Sequence, residues 1–515
     1  MFTERPLSVL KFLPALLLAP LPLSGCSGGS GFTASDASVA GGNGDSGPTT
    51  VVVTPAPGSS VGAEPSSEAG PIDADAADAS LRDGATGPTC PLDRLACDGG
   101  CVPNDSTNCG ACGSSCTSPD GGVASCTSVG GTYQCLLACD TNATKCGSSC
   151  ADTTTDPHNC GRCGHDCLAG ACVAGNCQSW VVANASASHA GLLGSQAGSA
   201  LVSGGHFDLA TDGKNVVWID AYQGVLQAPA SGVSSGPIVN LAPLQSSNTV
   251  EPGFLAMTNG VVAWTMWDVN NGISVYEASK KSQDAGISVA SLPLGATTAG
   301  DLPLGLALDA TGENAYFLDS LNASNSPLSP GLIKCDFVGK SCKNIYSATV
   351  PKVILGDDVA VSGANLFWTD SSSGDVWHAD SSHPTSAIAT AQQAPSLLAV
   401  DGQYVYWVDV TLADADAGTA SSFRINRTTQ STPGPVAMVA SGEGILTGFG
   451  TDGVYVYFSG SDLAQSGSFI DYVPVDGGQP RSLKDGQQPA AMAVGGGAVF
   501  WLNYADNTID GIAAP

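Results

Sequence analysis

The sequence predicts an all-β protein, a seven-bladed β-propeller preceded by disulfide-rich modules and a disordered linker. Three observations carry this. An aromatic strand recurs seven times between Val216 and Asn503, anchored on Trp218, Trp264, Phe317, Trp368, Trp407, Phe458 and Trp501, in steps of 39 to 53 residues. A period of that length built from short strands marks a propeller, with six or eight blades as the neighbouring counts. Hairpin dipeptides with small residues just before them accompany most copies, and 16 of the 19 cysteines fall in the 88 residues from Cys90 to Cys177. The chain divides into 1–25, a lipoprotein signal peptide; 26–89, a lipidated cysteine and linker; 90–137 and 138–177, two cysteine modules; and 178–515, the propeller.

Arg5 and Lys11 flank the start of an apolar run from Phe12 to Leu23 that is too short to span a bilayer as a mature helix. It ends in Leu23-Ser24-Gly25-Cys26, which resembles a bacterial lipobox. The resemblance implies cleavage before Cys26 and acylation of its thiol, hence a membrane-anchored lipoprotein held by several acyl chains. Ser27 after the cysteine favours the outer membrane or cell surface of a Gram-negative bacterium. Residues 27–89 hold eight acidic residues, one basic residue and one aromatic, Phe32, so they cannot collapse around a core. As a flexible coil this tether reaches roughly 40–50 Å. Its Asp73, Asp75 and Asp78 lack the glycine turn and closing Glu of a calcium loop.

The cysteines form two copies of eight. The first is Cys90, Cys97, Cys101, Cys109, Cys112, Cys116, Cys126 and Cys135; the second is Cys139, Cys146, Cys150, Cys160, Cys163, Cys167, Cys172 and Cys177. Four of the seven gaps are identical, and each copy holds Asn-Cys-Gly-x-Cys-Gly, at Asn108–Gly113 and Asn159–Gly164. Modules this small bury too little apolar surface to fold unaided, so disulfides are expected to supply the deficit, at about 2–4 kcal/mol each. Metal ligation is the rival, because CxxC recurs and His165 lies between Cys163 and Cys167. Connectivity stays open, since eight cysteines admit many pairings. The Asn-Cys-Gly-x-Cys-Gly core and its flanking Cys-Val-Pro or Cys-Ala-Asp segment resemble the stigma-specific cysteine-rich family. That resemblance implies an extracellular interaction or spacer role and no catalytic residues. Setting Cys26 aside for lipid leaves 18 cysteines, and Cys335 with Cys342 would make the ninth pair across a turn containing Gly339.

In the propeller, Asp212-Gly213, Asn259-Gly260, Asp401-Gly402 and Asp452-Gly453 are strong hairpin signals, because a type I′ turn needs positive φ at both central positions. Ser362-Gly363 and Gly495-Gly496 are variants. Ala210, Ala360, Ala399, Gly450 and Ala493 just before the turns suit strands crowded around an axis. The fifth repeat shows all four strands, over 396–400, 404–410, 422–427 and 435–441. The seventh supplies three, ending with 508–513, and the segment 179–183 is expected to complete it and close the ring. Phe367–Asp370 (FWTD) and Tyr406–Asp409 (YWVD) resemble the YWTD-like propellers of LDL-receptor-type and TolB-like proteins. The resemblance implies that the aromatics pack between sheets and that Asp220, Asp319, Asp370 and Asp409 hydrogen-bond backbone. Asp268 ends the second copy. A ring of carboxylates holding calcium weakly is the alternative use of these positions; no other cofactor is expected.

With 46 acidic residues against 17 basic ones, a net charge of -29 argues against nucleic acid as a partner. No nucleophile elbow, HExxH or P-loop is present, and His158, His165, His189, His206, His378 and His383 form no recognisable pairing with a nucleophile. The expectation is therefore no catalytic residue and no enzyme. The chain reads as a monomeric envelope lipoprotein presenting a propeller for protein or glycan interaction. The alternative is an extracellular propeller hydrolase or lyase acting on a lactone, ester or polysaccharide. Metabolic labelling of producing cells with a fatty acid should mark the protein, and Cys26→Ala should abolish the label and release the chain from the membrane fraction.

Overall fold

The computed structural model describes residues 90–91, 93–98, 100–184, 209–220, 223–243, 250–268, 272–279, 289–293, 303–319, 331–347, 358–371, 373–380, 385–411, 421–430, 434–462, 467–503 and 505–515. Cys26, the linker, His189, His206 and His383 lie outside the described residues, as do the side chains of Asp268 and Asp319.

Seven four-stranded antiparallel sheets follow one another, each strand paired with its successor in sequence. Blade 1 comprises Leu209–Thr211, Asn215–Asp220, Gly224–Pro229 and Val239–Pro243. Blade 2 comprises Val250–Thr258, Val261–Asp268, Gly272–Ser279 and Val289–Pro293; blade 3 comprises Pro303–Leu308, Asn314–Asp319, Gly331–Asp336 and Ser341–Ser347. Blade 4 comprises Val359–Ser362, Asn365–Asp370, Asp375–Ala379 and Ser386–Ala389; blade 5 comprises Pro395–Val400, Tyr404–Thr411, Ser422–Thr429 and Ala437–Glu443. Blade 6 comprises Ile445–Thr451, Tyr455–Asp462, Gly467–Pro474 and Arg481–Asp485. Blade 7 takes three strands from the end of the chain, Pro489–Gly495, Ala498–Asn503 and Thr508–Ala513. Its outermost strand, Trp180–Asn184, arrives from the cysteine modules and pairs antiparallel with Thr508–Ala513. The ring thus closes with the segment expected from the sequence, shifted by one residue.

All seven anchor aromatics are buried, with at most 2% of their surface exposed. Each packs against the preceding blade: Trp264 lies with Val217 and Ile219 of blade 1, Trp407 with Phe367 and Val376 of blade 4, and Trp501 with Tyr457 and Ile470 of blade 6. Trp218 meets Phe500 and Leu502 of blade 7. The residue just before each anchor points the other way, as strand alternation requires, and packs on the following blade. Phe367 contacts blade 5, Tyr406 blade 6, Tyr457 blade 7 and Phe500 blade 1. An aromatic dipeptide in the second strand therefore fills two interfaces at once.

The type I′ expectation holds at Asn259-Gly260, where φ is 44° and 79°. It fails at the aspartate turns. Gly213 and Gly453 alone have positive φ there, and Gly402 has none. The reason lies in the side chain: Asp212 Oδ1 accepts the N–H groups of Lys214 and Asn215 at 2.9 and 2.7 Å, and Asp452 Oδ1 those of Val454 and Tyr455 at 2.8 and 2.7 Å. Asp401 does the same for Gln403 and Tyr404, both at 2.6 Å. An Asx-type turn reverses the chain without two left-handed residues. In blade 7 the positive-φ pair is Gly496-Gly497, one residue later than the sequence reading placed it.

The cysteine modules share one connectivity. Cys90–Cys101, Cys97–Cys112, Cys109–Cys126 and Cys116–Cys135 are matched by Cys139–Cys150, Cys146–Cys163, Cys160–Cys172 and Cys167–Cys177. The shared core is explained locally. Asn108 Oδ1 accepts from Gly113 N–H and Asn159 Oδ1 from Gly164 N–H, both at 2.9 Å. Gly161 has φ of 73°, and a Cβ there would sit 2.6 Å from the carbonyl oxygen of Gly175. Only glycine tolerates both the conformation and the approach. The ninth disulfide, Cys335–Cys342, joins directly paired residues of a blade 3 hairpin.

Trp368→Ala should cost about 3–5 kcal/mol, because it empties a contact shared by two sheets. Val338→Ala, at a hairpin position that is 73% exposed, should cost under about 0.5 kcal/mol. Urea unfolding of both variants beside the parent checks the contrast.

Candidate functional site

The innermost strands of all seven blades surround an axial channel of about 280 Å³. The middle lining residue of each strand is small: Ala210, Ala256, Ala307, Ala360, Ala399, Gly450 and Ala493. Gly450 is required by crowding, since a Cβ there would lie 2.8 Å from a Val494 methyl. Among the described residues, the flanking lining residues are Leu, Val, Met and Phe, with Thr451 the single polar side chain. Among the described lining residues, that hydroxyl is the one group able to act as acid, base or nucleophile.

Chemistry-bearing residues sit at the strand ends instead. Where the inner strands begin, a β-bulge interrupts pairing in blades 2, 3, 5, 6 and 7. Bulging leaves backbone N–H groups without a ladder partner, and buried hydroxyls accept them. Thr265 Oγ1 accepts from Phe254 N–H at 2.8 Å in blade 2; in blade 4, whose inner pairing has no bulge, Thr369 Oγ1 likewise accepts from Asp358 N–H, just before the strand, at 2.9 Å. Asp358 itself, 1% exposed, accepts from Val359 N–H and, across the blade boundary, from Leu398 N–H, each at 2.8 Å. This carboxylate stitches blade 4 to blade 5. No pattern in the sequence pointed to it, because its partners come from a different repeat.

The aspartates expected at the ends of the second strands are placed as follows. Asp220 Oδ1 accepts from Gln223 N–H at 3.0 Å and Asp370 Oδ1 from Ser373 N–H at 3.1 Å, each capping the short turn into the third strand. Asp409 has no such turn, because its strand continues to Thr411; Oδ2 accepts instead from Asn426 Nδ2 at 2.9 Å. Burial raises the Asp409 carboxyl above its ordinary range, against the opposing pull of the Gln393 backbone, Asn426 and Arg424. Asn503 takes this position in blade 7 and donates to Gln487, Asp506 and Asp510. The indole N–H groups of Trp407 and Trp501 donate to Gln392 and Gln487.

A second role emerges for the turn aspartates. Asp401 Oδ2 accepts from the Tyr406 hydroxyl at 2.6 Å, and Asp452 Oδ2 from that of Tyr457 at 2.7 Å. Burial first, then the neighbouring aspartate, pushes both phenols up. The signal was present in the sequence as a repeated Asp-Gly-x-Tyr-x-Tyr, at Asp401–Tyr406 and Asp452–Tyr457.

Among the described residues, the carboxyls that burial raises are spread over four blades. Asp409 lies in blade 5, Asp471 in blade 6, Asp510 in blade 7 and Glu277 in blade 2. Among the described residues, the only His, Cys, Asp or Glu sets close enough to share an ion are Cys109, Cys116, Cys135 and Cys160, Cys167, Cys177. All six sulfurs are in disulfides. His165 places Nδ1 2.7 Å from the carbonyl oxygen of Cys160 and Nε2 2.9 Å from that of Ala514.

No protein-family description matches the chain, and no curated protein matches it as a sequence. Solved structures do. A chain of a nidogen/laminin complex is 18% identical, covering 52% of this chain and 93% of that one with a TM-score of 0.32. A virginiamycin B lyase from Staphylococcus aureus is 13% identical over 60% of this chain and 96% of its own, with a TM-score of 0.41. An oligogalacturonate lyase in complex with manganese is 10% identical over 59% and 86%, with a TM-score of 0.40. These likenesses are ones of fold, and no activity is carried across from them.

Asp471 supplies a test of the electrostatics. Burial, then Asp485, raises its carboxyl from 3.8 to about 6. The folded state thus binds this proton more tightly than the unfolded chain, and the associated stability is present below about pH 4 and lost as pH rises through about 6. Asp471→Asn should stabilise the protein at pH 7 by about 1 kcal/mol, a figure discounted for half-exposure, with no difference at pH 4. Denaturant midpoints at the two pH values decide it.

Proposed function

We propose that the chain is an exported, lipid-anchored envelope protein that presents its propeller for binding a protein or a glycan. The single observation that carries this reading is the composition of the axial channel. All seven strands line it with Ala, Gly, Leu, Val, Met and Phe, and among the described residues the one polar lining side chain is Thr451. The aspartates that repeat with the blades are spent on turns and blade contacts, as Asp212, Asp220, Asp358, Asp370, Asp401 and Asp452 illustrate. Two disulfide-rich modules and a long acidic linker suit a protein working outside the cell, on a tether from Cys26. A ring of seven sheets supports recognition by shape and hydrogen bonding at its rims.

The full chain should retain a glycan or an envelope protein saturably, without converting it. Glycan-array and immobilised-envelope binding, run beside turnover assays on lactones, esters and polysaccharides, tests this. Product release in the turnover assays would establish the hydrolase or lyase reading in its place.

A further inference from the structure

The strand that closes the ring is delivered by the second cysteine module. Only Gln178 and Ser179 separate Cys177 from Trp180–Asn184. That strand is the outermost of blade 7, paired with Thr508–Ala513 alone, and a register shift interrupts the pairing. Val182 and Ala183 are fully buried in the core shared by blades 7 and 1, and Trp180 packs edge-on against Phe500. Five residues at a sheet edge gain little against the entropy of ordering them, so whatever fixes their entry point matters.

The module grips this closure on both sides. Gln178 N–H donates to the carbonyl of Ala171 at 2.8 Å, and Gly170 lies so close under the Gln178 carbonyl that no Cβ would fit. Beyond the partner strand, His165 places Nε2 2.9 Å from the carbonyl oxygen of Ala514, whose own N–H donates to Gly497 in the blade 7 turn at 2.8 Å. Both grips sit in the stretch that Cys160–Cys172 and Cys167–Cys177 tie together. Among the described residues the apolar core of this module is made of those same cysteines, Cys160, Cys167 and Cys172, with Cys177 packed against them. Opening the two bonds therefore dissolves the core that holds the grips in place.

We propose that the second module is a redox-dependent clasp: oxidation of these two cysteine pairs locks blade 7 and seals the ring, and reduction leaves the closing strand free to detach. Each bond forms by exchange with an external disulfide, either oxidised glutathione or the paired cysteines of a thiol oxidase. A cysteine thiolate attacks it to give a mixed disulfide, and the second cysteine then displaces the external sulfur. The external S–S bond ends as two thiols, carrying the two electrons and two protons that the protein gives up. In a reducing cytoplasm the clasp stays open, and in an oxidising compartment it shuts. That consequence for export rests on the envelope location proposed above; the clasp itself does not, because it is measured on the purified chain.

The experiment compares hydrogen exchange in the full chain, in Cys167→Ser/Cys177→Ser and in Cys97→Ser/Cys112→Ser, with the amides of 404–410 in blade 5 as reference. Protection at 180–184 and 508–513 should fall about tenfold or more in the second-module variant, with blade 5 changing less, and should stay parental in the first-module variant. Reduced, denatured chain refolded without a disulfide should likewise protect blade 5 but not blade 7, and added oxidised glutathione should restore blade 7. Parental protection of both blade 7 strands in the second-module variant would overturn the clasp, as would an equal loss in the first-module variant. So would an equal loss in blades 5 and 7 in either arm. Where a variant fails to fold, the refolding arm decides, and blade 7 protected without oxidant sinks the idea.

Discussion

The structure depends on one geometric constraint: neighbouring residues of a strand point to opposite faces of its sheet. A four-stranded blade has two faces, and in a ring both must be buried against other blades. The second strand meets this demand with adjacent large residues. Phe367 faces blade 5 while Trp368 faces blade 3, and Phe500 faces blade 1 while Trp501 faces blade 6. Every blade is thus held by its neighbours, and none buries its apolar surface alone. Closure matters for the same reason, since an unclosed ring would leave two apolar faces and a strand edge in water.

Ring closure is also where the two halves of the protein meet. Trp180–Asn184 follows the last module cysteine by only two residues, and Trp180 Nε1 donates to the carbonyl of Ala230 in blade 1 at 2.9 Å. The modules therefore begin from a fixed point on the propeller rather than from a free linker. Their disulfides restrict chains with little apolar surface of their own, and both copies solve this with the same pairing order. The copies differ where loops can grow. The first builds a long ribbon from Gly122–Val129 and Thr132–Cys139, against two-residue strands at Cys172–Val173 and Asn176–Cys177 in the second.

Acidic residues outnumber basic ones 46 to 17, and many aspartates of the propeller act as hydrogen-bond acceptors for backbone. Reversing a strand strands N–H groups, and bulges at the crowded axis do so again; a carboxylate or hydroxyl is the shortest means of satisfying them. This explains why aspartate recurs with the blade period.

Much of this was legible in the letters. Periodic aromatics, small residues before turns and two matched cysteine series determine blade number, strand order and module duplication, because each reflects a local rule of alternation, crowding or cross-linking. The Asp-Gly-x-Tyr-x-Tyr repeat was equally visible, though its hydroxyl-to-carboxylate bond needed coordinates to be seen. Disulfide pairing within the cysteine modules, the Asp358 bridge to Leu398 and the His165 bridge to Ala514 could be decided only by the tertiary structure. Their partners lie 10 to 349 residues apart, and a hydrogen bond or an S–S bond depends on distance and direction in space, about which spacing along a chain is silent.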